Sequence, residues 1–306
     1  MMQRVVIKLL VIIAFFTHIH GNTIVNEKHF FEKDFQKALD GDVDAQFNIG
    51  LMYYEGVAIE KDLNQAFFWY KQAAANGSVE AQNNLGYMYE HGIGVDKNQT
   101  LAIQYYKMAA SRDYGVAKLN LALYYEAKQS DKHMETALYW YKKAAEHNLI
   151  VAQNNLAKFY YFGNHVPLDY EKALYWYDKA AKSGDPLAQF NLGMMYYSGE
   201  GTEKNYDKAL ELLEKSAASG NIYAQSKLGE FYRAGTLVDQ DYKIAMKYYQ
   251  KAAKQGDNLS MYYIGYFYYY GHDVEKNTKE GIKWMHKAAD NGYSHAKSFL
   301  ERHGYK

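Results

Sequence analysis

The chain of 306 residues contains no cysteine and only two prolines, Pro167 and Pro186. Without thiols there is no disulfide, no thiolate zinc site and no cysteine nucleophile, so the fold must be held by packing alone. Proline this scarce leaves helices uninterrupted. Net charge is also missing, with 35 basic residues against 35 acidic ones. A neutral chain has no field to steer a polyanion, which sets nucleic acid aside as a partner. No H-E-x-x-H zinc spacing, G-x-S-x-G elbow or G-x-x-x-x-G-K phosphate loop occurs, so no catalytic constellation, cofactor or metal is expected. His91, His165 and His272 fall at different offsets within their surroundings and read as solvated loop residues.

Long apolar runs are absent as well. The longest near the amino terminus, residues 9–16, is far short of the roughly 20 that a membrane-spanning helix needs. It follows Arg4 and Lys8 and precedes the polar Thr17, His18, His20 and Gly21. That order is the pattern of a secretory signal peptide over residues 1–21, cut near Gly21, with Ile19 where a small residue is usual. The expectation is an exported protein, periplasmic or secreted in preference to the endoplasmic-reticulum lumen, with no stable membrane span once the segment is removed.

What the chain does have is 33 tyrosines, 23 glycines and 48% apolar residues, a composition that suits many helices joined by glycine turns. It also has a period. Ala45, Ala81, Ala117, Ala152, Ala188 and Ala224 recur at a spacing of 36 residues, once 35, and Ser260 and Ala296 continue the series. A period in this range marks stacked supersecondary units. Counting from each anchor, Leu or Ile stands at the fourth residue, a small residue at the fifth, tyrosine at the eighth and glycine at the eleventh in six of the seven units. The zero, four and eight positions are read as the core stripe of a first helix. The glycine is read as its left-handed stop. The third unit has Lys128 there and should turn differently. A second helix begins near Ala66, Ala102, Ala137, Ala173, Ala209, Ala245 or Gly281. Three residues on comes an aromatic or apolar residue, where all four tryptophans fall (Trp69, Trp140, Trp176 and Trp284). Core packing is the expected role of that position.

The second helix D-Y-E-K-A-L-Y-W-Y-D-K-A-A-K-S-G (169–184), running into G-D-P-L-A-Q-F-N-L-G-M-M-Y-Y-S-G-E-G-T (184–202), strongly resembles the Sel-one-like repeat, a relative of the tetratricopeptide repeat. The resemblance covers the chain from about Gly41 to its end. It implies an all-α fold, a right-handed superhelical solenoid of antiparallel helix pairs, with a concave side that binds ligands. Seven repeats are expected over residues 41–291, with capping helices at 22–40 and 292–306, because an open solenoid end exposes apolar surface. Family members act as adaptors or scaffolds, which implies protein–protein interaction in envelope assembly, signalling or host contact. Some cysteine-rich relatives are linked to β-lactam hydrolysis, a reading disfavoured here by the missing cysteines.

Positions two, six and nine after the anchor share another helical face. They carry Phe47 and Tyr54 in the first unit, Tyr87 in the second, Phe190 and Tyr197 in the fifth, and Tyr262, Tyr266 and Tyr269 in the seventh. A stripe this rich in tyrosine has the composition of a binding hot spot, and these residues are the expected partner-binding set. Residues 261–270, seven of them aromatic, should leave some rings exposed. The expected partner is a protein or peptide, with self-association left open. Two alternatives stand beside it: binding or hydrolysis of cell-wall glycan, since tyrosine can stack on sugars, and an adaptor role in endoplasmic-reticulum quality control.

Overall fold

The computed structural model describes residues 25–305, with residues 25–30 as backbone only. The signal-peptide segment lies outside the described residues. The described chain contains sixteen α-helices and no strand. It divides into two compact units, one ending at Tyr124 and the other beginning at Tyr125.

The first unit holds α1 (Val25–Leu39), α2 (Val43–Glu55), α3 (Leu63–Ala75), α4 (Val79–His91), α5 (Gln99–Ser111) and most of α6 (Gly115–Glu126). The second holds α7 (Asp131–Ala145), α8 (Ile150–Phe162), α9 (Tyr170–Lys182), α10 (Pro186–Ser198), α11 (Tyr206–Ala218) and α12 (Ile222–Ala234). It continues with α13 (Tyr242–Lys254), α14 (Asn258–Tyr270), α15 (Thr278–Asp290) and α16 (Ser294–Arg302). In the first unit α1 to α5 pack in chain order, each helix on the next, and in the second unit α7 to α16 do the same. Among the described residues no helix is long and apolar enough to cross a membrane.

The helix ends follow from local chemistry. Asp62, Asn98, Asp169, Asn205, Asp241 and Asn277 cap second helices, each side chain accepting a hydrogen bond from an N–H in the first turn. Six first helices stop at a left-handed glycine: Gly56, Gly92, Gly163, Gly199, Gly235 and Gly271. The third unit does turn differently. Its α6 ends at Glu126, Gln129 takes the left-handed conformation, and the Ser130 hydroxyl at the start of α7 makes no capping bond to the backbone but meets His133 Nδ1 at 2.5 Å instead.

The core differs from the sequence reading at two positions. The eighth residue after the anchor is only half-buried, as at Tyr89, Tyr196 and Tyr232, whereas the seventh is buried, as at Met88, Met195 and Phe231. At 3.6 residues per turn, seven residues come round to within about 20° of the anchor and eight swing about 80° past it. The tryptophan position is likewise peripheral. Trp69 is buried, but Trp140, Trp176 and Trp284 are half-buried. The ring that fills the interior is the next residue along: Tyr70, Tyr106, Tyr141, Tyr177 and Tyr249, replaced by Leu213 and Met285 in two units.

These rings explain the small residue at the fifth position. A Cβ built on Gly50 would lie 2.7 Å from Tyr70, one on Gly86 would lie 2.6 Å from Tyr106, and one on Gly229 would lie 2.6 Å from Tyr249. Mid-helix glycine costs about 1 kcal/mol, and full burial of a large ring returns about 1.5–3 kcal/mol. The exchange favours the fold. Between repeats, Gln46, Gln82, Gln153, Gln189 and Gln225 each donate through Nε2 to a backbone carbonyl at the end of the preceding second helix, at 3.0–3.5 Å. In the seventh unit this buried position is Met261, whose sulfur is approached by Asn291.

Gly86→Val forces a branched side chain into the space of the Tyr106 ring. It should lower stability by about 1–3 kcal/mol in chemical denaturation, and adding Tyr106→Leu should restore part of the loss. An unchanged unfolding midpoint would show that the ring does not need the gap.

Candidate partner-binding face

Positions two and nine sit one turn either side of the small fifth residue, so their side chains flank the buried ring that covers it. In the first unit Phe47 and Tyr54 bracket Tyr70, with ring centroids 5.6 and 6.5 Å away. Both are half-buried, with one side on the core and the other toward solvent. Burial, then the neighbouring Tyr87 and Glu55, raises the Tyr54 pKa. Tyr87 is half-buried and packs on His91 at 4.2 Å. One repeat on, Glu90 takes the ninth position and accepts a hydrogen bond from Tyr106 Oη at 2.9 Å. Asn120 Nδ2 donates to Asn83 Oδ1 at 2.8 Å, joining two successive first helices along the same face.

The compact unit that begins at Tyr125 repeats this scheme with other residues. Glu126 accepts from Tyr141 Oη at 2.6 Å, and Asn155 Nδ2 donates to the same hydroxyl at 3.1 Å. Tyr161 donates to Glu200 at 3.0 Å; burial first, then that bond and the carboxylate charge, push its pKa up to about 12. Phe190 and Tyr197 border one core cluster, Phe190 lying 5.8 Å from Tyr223 and Tyr197 5.1 Å from Phe231. Tyr223 is 60% exposed. The sequence reading missed it, although it lies three residues before position two and extends the stripe by one turn.

At the carboxyl end the three expected anchor tyrosines are all half-buried, and the ring left exposed is Tyr270. Tyr262 and Tyr266 are neighbours at 6.4 Å. Tyr269 instead faces Phe299 at 5.1 Å and His303 at 5.5 Å, and a hydrogen bond with Tyr305 raises its pKa. Phe299 of α16 reaches Tyr262 as well. The closing half-repeat thus covers rings that the helix pattern alone would leave open. His272 is a correction of the same kind. It is half-buried and stacks on Tyr266 at 5.5 Å and against Tyr242 at 5.0 Å, and so is not a solvated loop residue. Among the described residues no group of three or more His, Asp or Glu could hold a metal ion.

Tandem helical hairpins with an interior fixed by small residues and rings, and a variable first-helix face, define a repeat protein. The profile of the Sel1 repeat matches residues 43–78, 79–114, 116–149, 150–185, 186–221, 222–257 and 258–293, and the chain belongs to the Sel1 repeat family. It is similar to a Sel1 repeat protein from Oxalobacter formigenes, at 29% identity and a TM-score of 0.72, covering 95% of this chain and 84% of that one. It is also similar to c5321, a protective antigen of uropathogenic Escherichia coli displaying an SLR fold, at 30% identity and a TM-score of 0.71. That match covers 88% of this chain, which spans 66% of the antigen's length. No curated protein matches the chain. Sel1 repeats generally mediate protein interactions.

The interior tyrosines set an alkaline limit. Burial raises the pKa of Tyr70, Tyr106, Tyr141, Tyr177 and Tyr249 above the ordinary 10.0, and the carboxylates of Glu90 and Glu126 add to it for Tyr106 and Tyr141. The native state then holds these protons more tightly than the unfolded chain, so stability is intact below pH 10.0 and falls as pH rises above it. The part of the tyrosinate absorbance that belongs to these interior rings should appear above pH 10 in one cooperative step together with the loss of helical circular dichroism. Tyr106→Phe should move that step to higher pH. Gradual ionisation of all the tyrosines with helicity intact would refute the burial.

Proposed function

We propose that this protein is an exported scaffold that binds a protein partner along the first-helix face of its repeats, in envelope assembly, signalling or host interaction. The observation that carries the reading is variation at fixed geometry. The second position runs Phe47, Asn83, Leu119, Asn154, Phe190, Ser226 and Tyr262, while the anchor is Ala or Ser and the fourth position Leu or Ile in every unit. Packing alone asks for sameness; a surface shaped to one partner asks for difference. Rings that are half-buried add to this, because they are already held in place and lose little freedom on binding.

Export is supported by the Arg4, Lys8 and residue 9–16 pattern, and the mature chain should begin close to Asn22 by mass spectrometry. A role in host contact draws support from the antigen of uropathogenic Escherichia coli among the similar structures. The absence of any catalytic motif in the sequence supports a binding role over an enzymatic one.

A photoreactive residue at Tyr197 or Tyr266, introduced in cells that export the protein, should give one discrete protein adduct. The same residue at Tyr175, exposed on a second helix, should not give it. Equal adducts from all three sites would contradict the proposal. Retention on purified cell wall with no protein adduct would favour the glycan alternative.

A further inference from the structure

At the ninth position the repeats carry Tyr54, Glu90, Glu126, Tyr161, Tyr197, Arg233 and Tyr269. Both glutamates are engaged from within, each accepting the hydroxyl of a buried tyrosine. Arg233 is the cation of the series, and its charge is left unanswered. It forms no ion pair among the described residues, and the acid one turn away, Glu230, is held by Lys227 at 2.8 Å. The buried ring beneath Arg233 is Tyr249, close enough to feel its charge. Even so, neither Arg233 Nε nor the Tyr249 hydroxyl, both buried, completes a well-formed hydrogen bond.

The group is nevertheless held in place. Its guanidinium carbon lies 4.4 Å from the centroid of Tyr263, on the first helix of the next repeat, a stacking that fixes the plane of the cation and favours arginine over lysine. Tyr266 of the same helix lies beside it. Arg233 remains half-exposed, so solvent, and therefore a ligand, reaches it. A planar donor group with fixed orientation, a tyrosine hydroxyl beside it and no carboxylate paired to it matches the geometry of a carboxylate ligand, which can take two parallel N–H bonds from it.

We infer that Arg233, stacked on Tyr263, is a carboxylate-binding subsite of the first-helix face and receives a free chain terminus or an acidic side chain of the bound segment. The subsite rests on the partner-binding reading above for its biological role but not for its chemistry. A sugar hydroxyl lacks the charged two-oxygen edge that this arrangement suits; a phosphate can make the same two bonds, so inorganic phosphate is used as a competitor in the titration, and phosphate binding tighter than either carboxylate would overturn the assignment.

The test uses the full chain labelled with nitrogen-15 and follows the Arg233 Nε–Hε resonance during titration with three probes. These are N-acetylglycine, its amide N-acetylglycinamide, and the blocked peptide acetyl-Gly-Glu-Gly-amide. The two carboxylates should displace the resonance saturably and the amide should leave it in place. The tighter of the two carboxylates distinguishes a chain terminus from a side chain. In Arg233→Gln, carboxylate affinity read at neighbouring tyrosine resonances should fall at least about tenfold, the loss of one charge-assisted pair. Arg233→Lys, which keeps the charge, should fall between the two. Equal displacement by acid and amide, or no saturable displacement, would overturn the subsite. A partner captured at Tyr197 and Tyr266 whose binding is unchanged by Arg233→Gln would leave the scaffold reading standing and remove this one. Carboxylate binding without any captured partner would do the reverse.

Discussion

A large side chain of the second helix, in five repeats a tyrosine ring, laid against a glycine or alanine of the first helix is the contact on which the repeat depends. It fixes how closely the two helices approach, as at Gly86 and Tyr106 or Gly229 and Tyr249. It also determines what stands on either side. Because the ring covers the fifth position, positions two and nine become its flanks, and the hydroxyl end lies toward whatever occupies the ninth. Where that residue is Glu90 or Glu126 the hydroxyl is satisfied. Where it is Tyr54 the flank is another ring. The interior contact therefore passes its geometry to the surface while leaving the residue type open.

This arrangement separates two demands that compete in most folds. Stability is carried by positions that change little along the chain: the anchor, alanine except at Ser260, the Leu or Ile four residues on, the small fifth residue and the glutamine that ties five of the repeats to the preceding helix. Recognition can then vary at the flanks without disturbing the stack, since the flanking rings touch the core with one edge only, although Asn83 and Leu119 at the same position are buried. The absence of cysteine makes the separation necessary. With no cross-link to fall back on, the interior cannot be traded for function.

The period, the order of helices and the left-handed glycine stops were legible in the sequence because they repeat, and repetition averages out local noise. The irregular third turn was legible for the converse reason, Lys128 standing where glycine stands elsewhere. The interior ring was not. Tryptophan at the neighbouring position, in Trp69, Trp140, Trp176 and Trp284, is the larger signal by size, yet the helix turns the smaller Tyr70, Tyr141, Tyr177 and Met285 inward. Periodicity tells which residues share a face but not which of two adjacent faces meets a neighbour. Tertiary cover was equally hidden. Nothing in residues 261–270 announces that Phe299 and Tyr305 will lie over Tyr269, and nothing local shows that His272 will be drawn among the rings of Tyr242 and Tyr266.

The central claim is that one face of the repeats, built from first helices, recognises the partner while the second-helix surface does not. Hydroxyl-radical footprinting of the protein alone and with its captured partner measures this directly, because tyrosines occupy both surfaces. The account predicts protection at Tyr54, Tyr87, Tyr197 and Tyr223 on first helices, with no change at Tyr139 and Tyr175 on second helices, both exposed in the free protein. Protection of Tyr139 and Tyr175, with the first-helix tyrosines unchanged, would contradict it.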